Sequence, residues 1–140
     1  MEIERVIERL REQVSDLRQV AGAAALAAAQ EDLRSTPAAY VIPLAEQAAR
    51  NALIGGAHSQ QIAVHFGVVL AARQLRDARG QAGHEELERL RSAVKDALIG
   101  WAPDEDHDPI ELVRGQLLAL TDAILWWQDE YLTGYYERRP

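Results

Sequence analysis

Between Gln60 and Arg73 the chain places Ile62, Val64, Phe66, Val68 and Leu70 at every second position, with Gln61, Ala63, His65, Gly67 and Val69 between them. Successive side chains of a strand point to opposite faces, so this alternation predicts a long β-strand with one large apolar face and one small or polar face. Such a strand constrains everything around it. The large face needs a covering layer, and the backbone needs neighbouring strands.

Three further segments read as strands. Ala39 to Leu44 is a short apolar run whose Pro43 cannot donate to a ladder, which marks an edge or a strand end. Near the C-terminus, Gln116 to Leu120 and Ala123 to Thr133 read as two strands joined by a hairpin turn at Thr121-Asp122.

The covering layer comes from helices. Ile3, Val6, Ile7, Leu10, Val14 and Leu17 recur at helical spacing, with Glu2, Arg5, Glu8, Arg9 and Glu12 on the opposite side. A second helix is predicted from His84 to Ile99, with Leu87, Leu90, Val94 and Leu98 as its stripe and Gly100 at its C-terminal cap. Ala23 to Gln30 is alanine-rich and predicts one short helix that needs docking to persist. The main elements therefore run helix, strand, strand, helix, strand, strand. This order predicts an α+β fold in which two main helices cover one face of a mostly antiparallel four-stranded sheet. The other face would present Gln61, Ala63, His65 and Gly67, and a partner chain is expected there.

A chain of 140 residues reads as a single domain spanning 1–140. Twenty-two acidic against fifteen basic residues give a net charge of −7, which argues against a protein that grips phosphate backbones over its whole surface. The absence of cysteine excludes disulfides, thiolate zinc sites and a Cys nucleophile. The start MEIERVIERLREQ lacks the basic n-region and apolar core of a signal peptide, and no apolar run approaches the roughly 18–20 residues of a membrane span.

Enzyme signatures are missing: there is no phosphate loop with Lys, no GxGxxG, no GxSxG and no HExxH. The loop Asp104-Glu105-Asp106-His107-Asp108 offers oxygen and nitrogen ligands in principle. It lacks EF-hand spacing and the central glycine, and reads as a solvated acidic loop between Pro103 and Pro109. No metal or cofactor is expected. His65 has no Ser, Thr or Asp at a motif spacing to make it a catalytic base, and reads as an interface or surface histidine. His58, His84 and His107 form no constellation.

Trp126, Trp127, Tyr131, Tyr135 and Tyr136 crowd the C-terminal strand. Neighbouring tryptophans in a strand face opposite ways, so one indole lies under the helices and the other on the far face. Either the far face is covered within the chain or these aromatics serve self-association, for which Trp and Tyr are well suited. Nucleic-acid stacking is disfavoured, because Asp129, Glu130 and Glu137 interleave with the rings.

The segments YVIPLAEQA (40–48), HFGVVLAARQLRDARG (65–80), LRSAVKDALIGW (90–101) and LLALTDAILWWQDEY (117–131) together resemble a family of short tail-module proteins of Mu-like transposable long-tailed phages, the tail terminators. Stretches 21–30 and 45–58 do not align with the lambda-type member. The resemblance implies an α+β subunit similar to the lambda tail terminator, forming a homohexameric ring at the head-proximal end of the tail tube. There it would stop tube polymerisation and present a surface to the neck. The implied partners are a second copy, the tail tube protein and the head–tail connector, with DNA passing through the lumen unbound and no membrane involved. The implied location is the virion, after assembly in the host cytoplasm. The family brings no catalytic residues.

Simple geometry permits this ring. A compact chain of this length approximates a sphere about 37 Å across, and six in a ring leave a hole on the order of 35 Å, wide enough for a duplex. Gln61, His65, Trp126, Trp127, Tyr131, Tyr135 and Tyr136 are the expected subunit-interface residues. Asp104, Glu105, Asp106 and Asp108, with the mixed loop 73–80, are candidates for the lumen or a ring surface. The competing readings are another head–tail completion or neck protein, or a small enzyme or ligand-binding domain built on His65 and the acidic loop.

Overall fold

The computed structural model describes residues 1–73 and 81–140, with the side chains of α3 described from His84 onward. The chain runs α1 (Ile3–Gln13), β1 (Gln19–Ala21), α2 (Ala23–Glu31), β2 (Ala38–Ala48), β3 (His58–Arg73), α3 (Gln81–Leu98), β4 (Glu111–Thr121) and β5 (Ile124–Arg139). The α+β expectation is met, but the architecture is richer than a four-stranded antiparallel sheet with two helices. Three helices pack on a five-stranded mixed sheet of order β1-β2-β3-β5-β4, in which only the β1–β2 pair is parallel.

The alternation of β3 survives intact. Ile62, Val64, Phe66, Val68 and Leu70 are buried, and the last three join Val6, Ile7 and Leu10 of α1 and Leu87, Leu90, Val94 and Leu98 of α3 in the main core. Helical spacing in α1 continues to Leu17 in the sequence, yet the helix stops at Gln13, where the Val14 N–H bonds the Leu10 carbonyl. Leu17 still packs on the core from the following turn. Spacing therefore reported burial correctly and the helix end wrongly. Gly100, at φ +84°, terminates α3 as the sequence indicates.

β1 escapes detection because three residues carry no periodicity. Arg11 holds its outer edge closed, donating from Nε and Nη2 to the Val20 carbonyl at 3.2 and 2.8 Å. The polypeptide then crosses the sheet, so α2 covers the face opposite α1 and α3. Ala29 of α2, Tyr40, Val69, Ala71 and Trp126 form a second, smaller core there. This explains why β3 is buried on both faces from Val68 to Ala72 and on one face nearer its start.

The remaining strands are longer than the sequence predicts. β2 continues to Ala48 through a bulge at Leu44, and β5 extends to Arg139. The β4–β5 turn consists of Asp122 and Ala123, both at positive φ (50° and 62°), one residue beyond the predicted Thr121-Asp122. Two left-handed residues match the twist of a tight hairpin.

Candidate functional site

Period two assigns every strand residue to a face. Gln61, Ala63, His65 and Gly67 of β3 share the open face with Gln128, Glu130, Leu132 and Tyr136 of β5, and with Arg114 and Gln116 of β4. Its centre is Glu130, buried to 8% exposure and held from two sides. An ionised carboxylate can only accept, so His65 Nδ1–H donates to Oε2 at 2.7 Å while Arg114 Nε donates to Oε1 at 3.1 Å. Burial alone would raise the Glu130 pKa. The hydrogen bonds from His65 and Arg114, with their charges, more than offset it and hold the carboxyl below the ordinary range.

This cluster lines a shallow cleft of about 550 Å³ together with Leu44, Glu46, Gln47, Gln116 and Gln128. Gly67 keeps its floor low: a Cβ there would come within 3.3 Å of Gln128 and Leu44. Chemically the set is a neutralised polar patch. Among the described residues no Ser, Thr or Cys lines the cleft.

The acidic loop is sewn to β5. Asp104 Oδ1 accepts the Asp106 N–H at 2.9 Å and His107 Nδ1 at 2.7 Å, and the His107 ring lies against Tyr135. The Asp108 N–H bonds the Gly134 carbonyl, and Thr133 Oγ1 donates to the Asp108 carbonyl. The hydrogen bond from His107 is the main cause that lowers the Asp104 pKa, aided by the Asp106 N–H and opposed by burial. Glu105, Asp106 and Asp108 are exposed. Among the described residues no cluster of three or more His or acidic side chains could hold a metal ion. Of the mixed loop 73–80, residues 74–80 lie outside the described residues.

The aromatic residues divide three ways. Trp126 and Trp127 face opposite sides, as period two requires, and the chain itself covers both. Trp126 stacks on Tyr40 with centroids 6.5 Å apart in the smaller core. Trp127 lies beneath the Arg91 guanidinium, 4.5 Å from the ring centre. Tyr131 is fully buried against Phe66 and offers no surface to a partner. Tyr135 is tied to the acidic loop through His107, and its hydroxyl donates to Glu137. Gln61, His65 and Tyr136 share the open face, although Gln61 lines a separate cleft with Asp108, Pro109 and Thr133.

Two features carry no sequence motif. The first is Asp129, only 1% exposed, which takes Arg91 Nε and Nη2 at 2.9 Å each and Trp127 Nε1 at 3.0 Å. A Cβ on Gly115 would collide with this carboxylate and the indole, so glycine is required on β4 there. The second is β4 itself, an edge strand whose Leu112, Val113, Leu117, Leu118 and Leu120 are all exposed. Period two would have flagged Glu130 and Arg114 only once the register of β5 against β3 and β4 was known.

The family described as phage tail terminator protein matches residues 1–140. No curated protein matches the sequence.

Proposed function

Because the chain belongs to the phage tail terminator family, and is thus a structural component of the virion that meets other tail and head proteins, we propose that it forms a homohexameric ring at the head-proximal end of the tail tube. The ring stops tube polymerisation and presents its far side to the connector or neck. Its action is steric and interfacial, with no reaction catalysed. The observation that carries this reading is the family match along the whole of residues 1–140.

Physical features support it. A single 140-residue domain is too small to enclose a duplex, whereas six leave a passage on the order of 35 Å. Each copy carries −7, and carboxylates around the passage repel phosphate and avoid the counterion release that would hold a moving genome. Glu105, Asp106 and Asp108 are exposed and suited to that lining or to a ring surface, with Asp104 bracing their loop. The open sheet face offers Gln61, His65 and Tyr136 to a neighbouring copy.

The test is negative-stain imaging of tails assembled in the host cytoplasm without this protein. Overlong, headless tubes are the expected result. Tails of normal length that fail to join heads would mean a neck protein instead, and normal tails joined to heads would reject both readings.

A further inference from the structure

We infer that neighbouring copies join edge to edge, the free edge of β4 in one copy pairing with the free edge of β2 beyond Val41 in the next, so that the sheets run on across each subunit boundary. This rests on the ring reading above.

The two outer edges of the sheet are treated differently by the fold. At the β1 side, Arg11 closes the Val20 carbonyl and β1 covers β2 only over Ala38–Tyr40. From Ile42 to Ala48 the outer side of β2 has no strand partner among the described residues. On the opposite side, β4 presents eleven residues with no strand outside them among the described residues. Free edges are usually blunted with Lys, Pro or a covering element. β4 has no Lys and no Pro, and it is bent by bulges at Val113 and Leu118, which makes it a poor template for an arbitrary strand.

Apolar relief matches between the two edges. On the α1/α3 side of the sheet, Leu112, Leu117 and Leu120 stand 37%, 55% and 55% exposed. At the β2 edge a recess of about 340 Å³ wraps the sheet border, lined by Met1, Ile3, Pro43, Leu44, Ala45, Val64 and Phe66, with Glu46 and His65 at its polar margin. A second copy continuing the sheet would bring its β4 leucines over this recess. Exposed apolar surface thus faces apolar surface on the same layer.

Strand direction agrees as well. β4 is antiparallel to β5, β5 to β3, and β3 to β2, so β4 and β2 run in opposite directions. Rotation about an axis along the strands preserves direction, and the new β4–β2 pair is then antiparallel like its neighbours. Because the two edges differ, the contact is heterologous and closes into a ring when the rotation per copy divides a full turn. The joint borders the open face, where Arg114 approaches it from one side and Gln47 from the other.

The cysteine-free sequence permits a direct test. Leu112→Cys, Leu117→Cys or Leu120→Cys is combined in turn with Pro43→Cys or Glu46→Cys, which share the α1/α3 side through their pairing with Phe66 and Val64, and the full chain is oxidised both in solution and in assembled tails. An intrachain bond is out of reach, since β2 and β4 are three strand spacings apart, about 14 Å, against a disulfide Cα limit of about 7 Å. Non-reducing gels are expected to show, for at least one pair, a ladder of covalent multiples ending at the ring size, while each single variant stops at a dimer. If rings are visible by negative stain and no pair gives a ladder, the edge joint is wrong and the ring reading stands. If no ring forms in solution or on tube ends, the ring reading fails and this joint fails with it.

Discussion

Replacing Tyr131 by Phe should stabilise this protein, although it removes a polar group from a residue the sequence marks as an interface aromatic. Tyr131 is fully buried on the α1/α3 side of the sheet, its ring stacked on Phe66 at 5.6 Å, and its hydroxyl has no hydrogen-bond partner among the described residues. Desolvation, with the nearby Asp129 charge adding to it and Arg91 opposing it, pushes the phenol pKa well above its usual value, so it stays protonated at any working pH. A buried hydroxyl without a partner costs about 1–3 kcal/mol relative to water. Removing one oxygen leaves a void on the order of 10 Å³, which returns about 0.2 kcal/mol of that gain. The net expectation is about 1–2 kcal/mol, or an increase in Tm of about 3–6 °C for a chain of this size. Scanning calorimetry and urea unfolding measure it, and tail complementation should be unaffected because the residue lies in the core. An unchanged or lower Tm would refute the reasoning, since the hydroxyl would then be satisfied, for instance by an internal water.

Three other substitutions probe separate parts of the structure. Gly115→Ala forces Asp129 and Trp127 apart and disturbs the Arg91 pair; a loss of about 2–4 kcal/mol in urea unfolding is expected, by analogy with breaking a buried ion pair. Glu130→Gln removes the carboxylate that His65 and Arg114 hold below its ordinary range. A depressed carboxylate contributes stability above the unfolded value near pH 4.3, and that contribution disappears as pH falls through the lower folded value. Wild-type stability should therefore fall more steeply than that of the variant below about pH 4.3, while similar slopes would remove Glu130 from the account. Ala123→Gly relieves a left-handed alanine in the β4–β5 turn at φ 62°, and a gain of about 0.5–1 kcal/mol in thermal unfolding is expected.

Local periodicity located whatever depends on local periodicity. The β3 alternation and the Leu87, Leu90, Val94, Leu98 stripe of α3 both lie in the core as the sequence indicates. It failed where the determining contact is distant in sequence. β1 is three residues long and exists because β2 passes beside it. The distal half of β2 looks like a loop, with Pro43 and polar residues to Ala48, yet β3 pairs with it as far as Ile62. The site shows the same division. His65 was visible as a polar residue on a small-sided face, but Glu130, its partner 65 positions away, acquires meaning only from the register of β5. Tyr131 differs from the sequence expectation for a related reason: an aromatic in a crowded cluster looks like a contact residue until the α1 and α3 layer above it is known.

On the edge-joint proposal, stability and assembly meet on one side of the sheet. On the helix side, Arg91 of α3 grips Asp129 of β5 and roofs Trp127, which fixes that strand beneath α3 by a buried ion pair whose geometry tolerates little displacement. β5 in turn carries β4, and Gly115 leaves room for Asp129 and Trp127 where the two strands pair. On this same side β4 leaves Leu112, Leu117 and Leu120 exposed. A well-anchored β5 therefore presents β4 as a preorganised edge, and preorganisation lowers the ordering cost of association. It follows that loosening the Arg91–Asp129 anchor should weaken subunit association even where the fold survives, because the edge loses its fixed position before the core loses its packing.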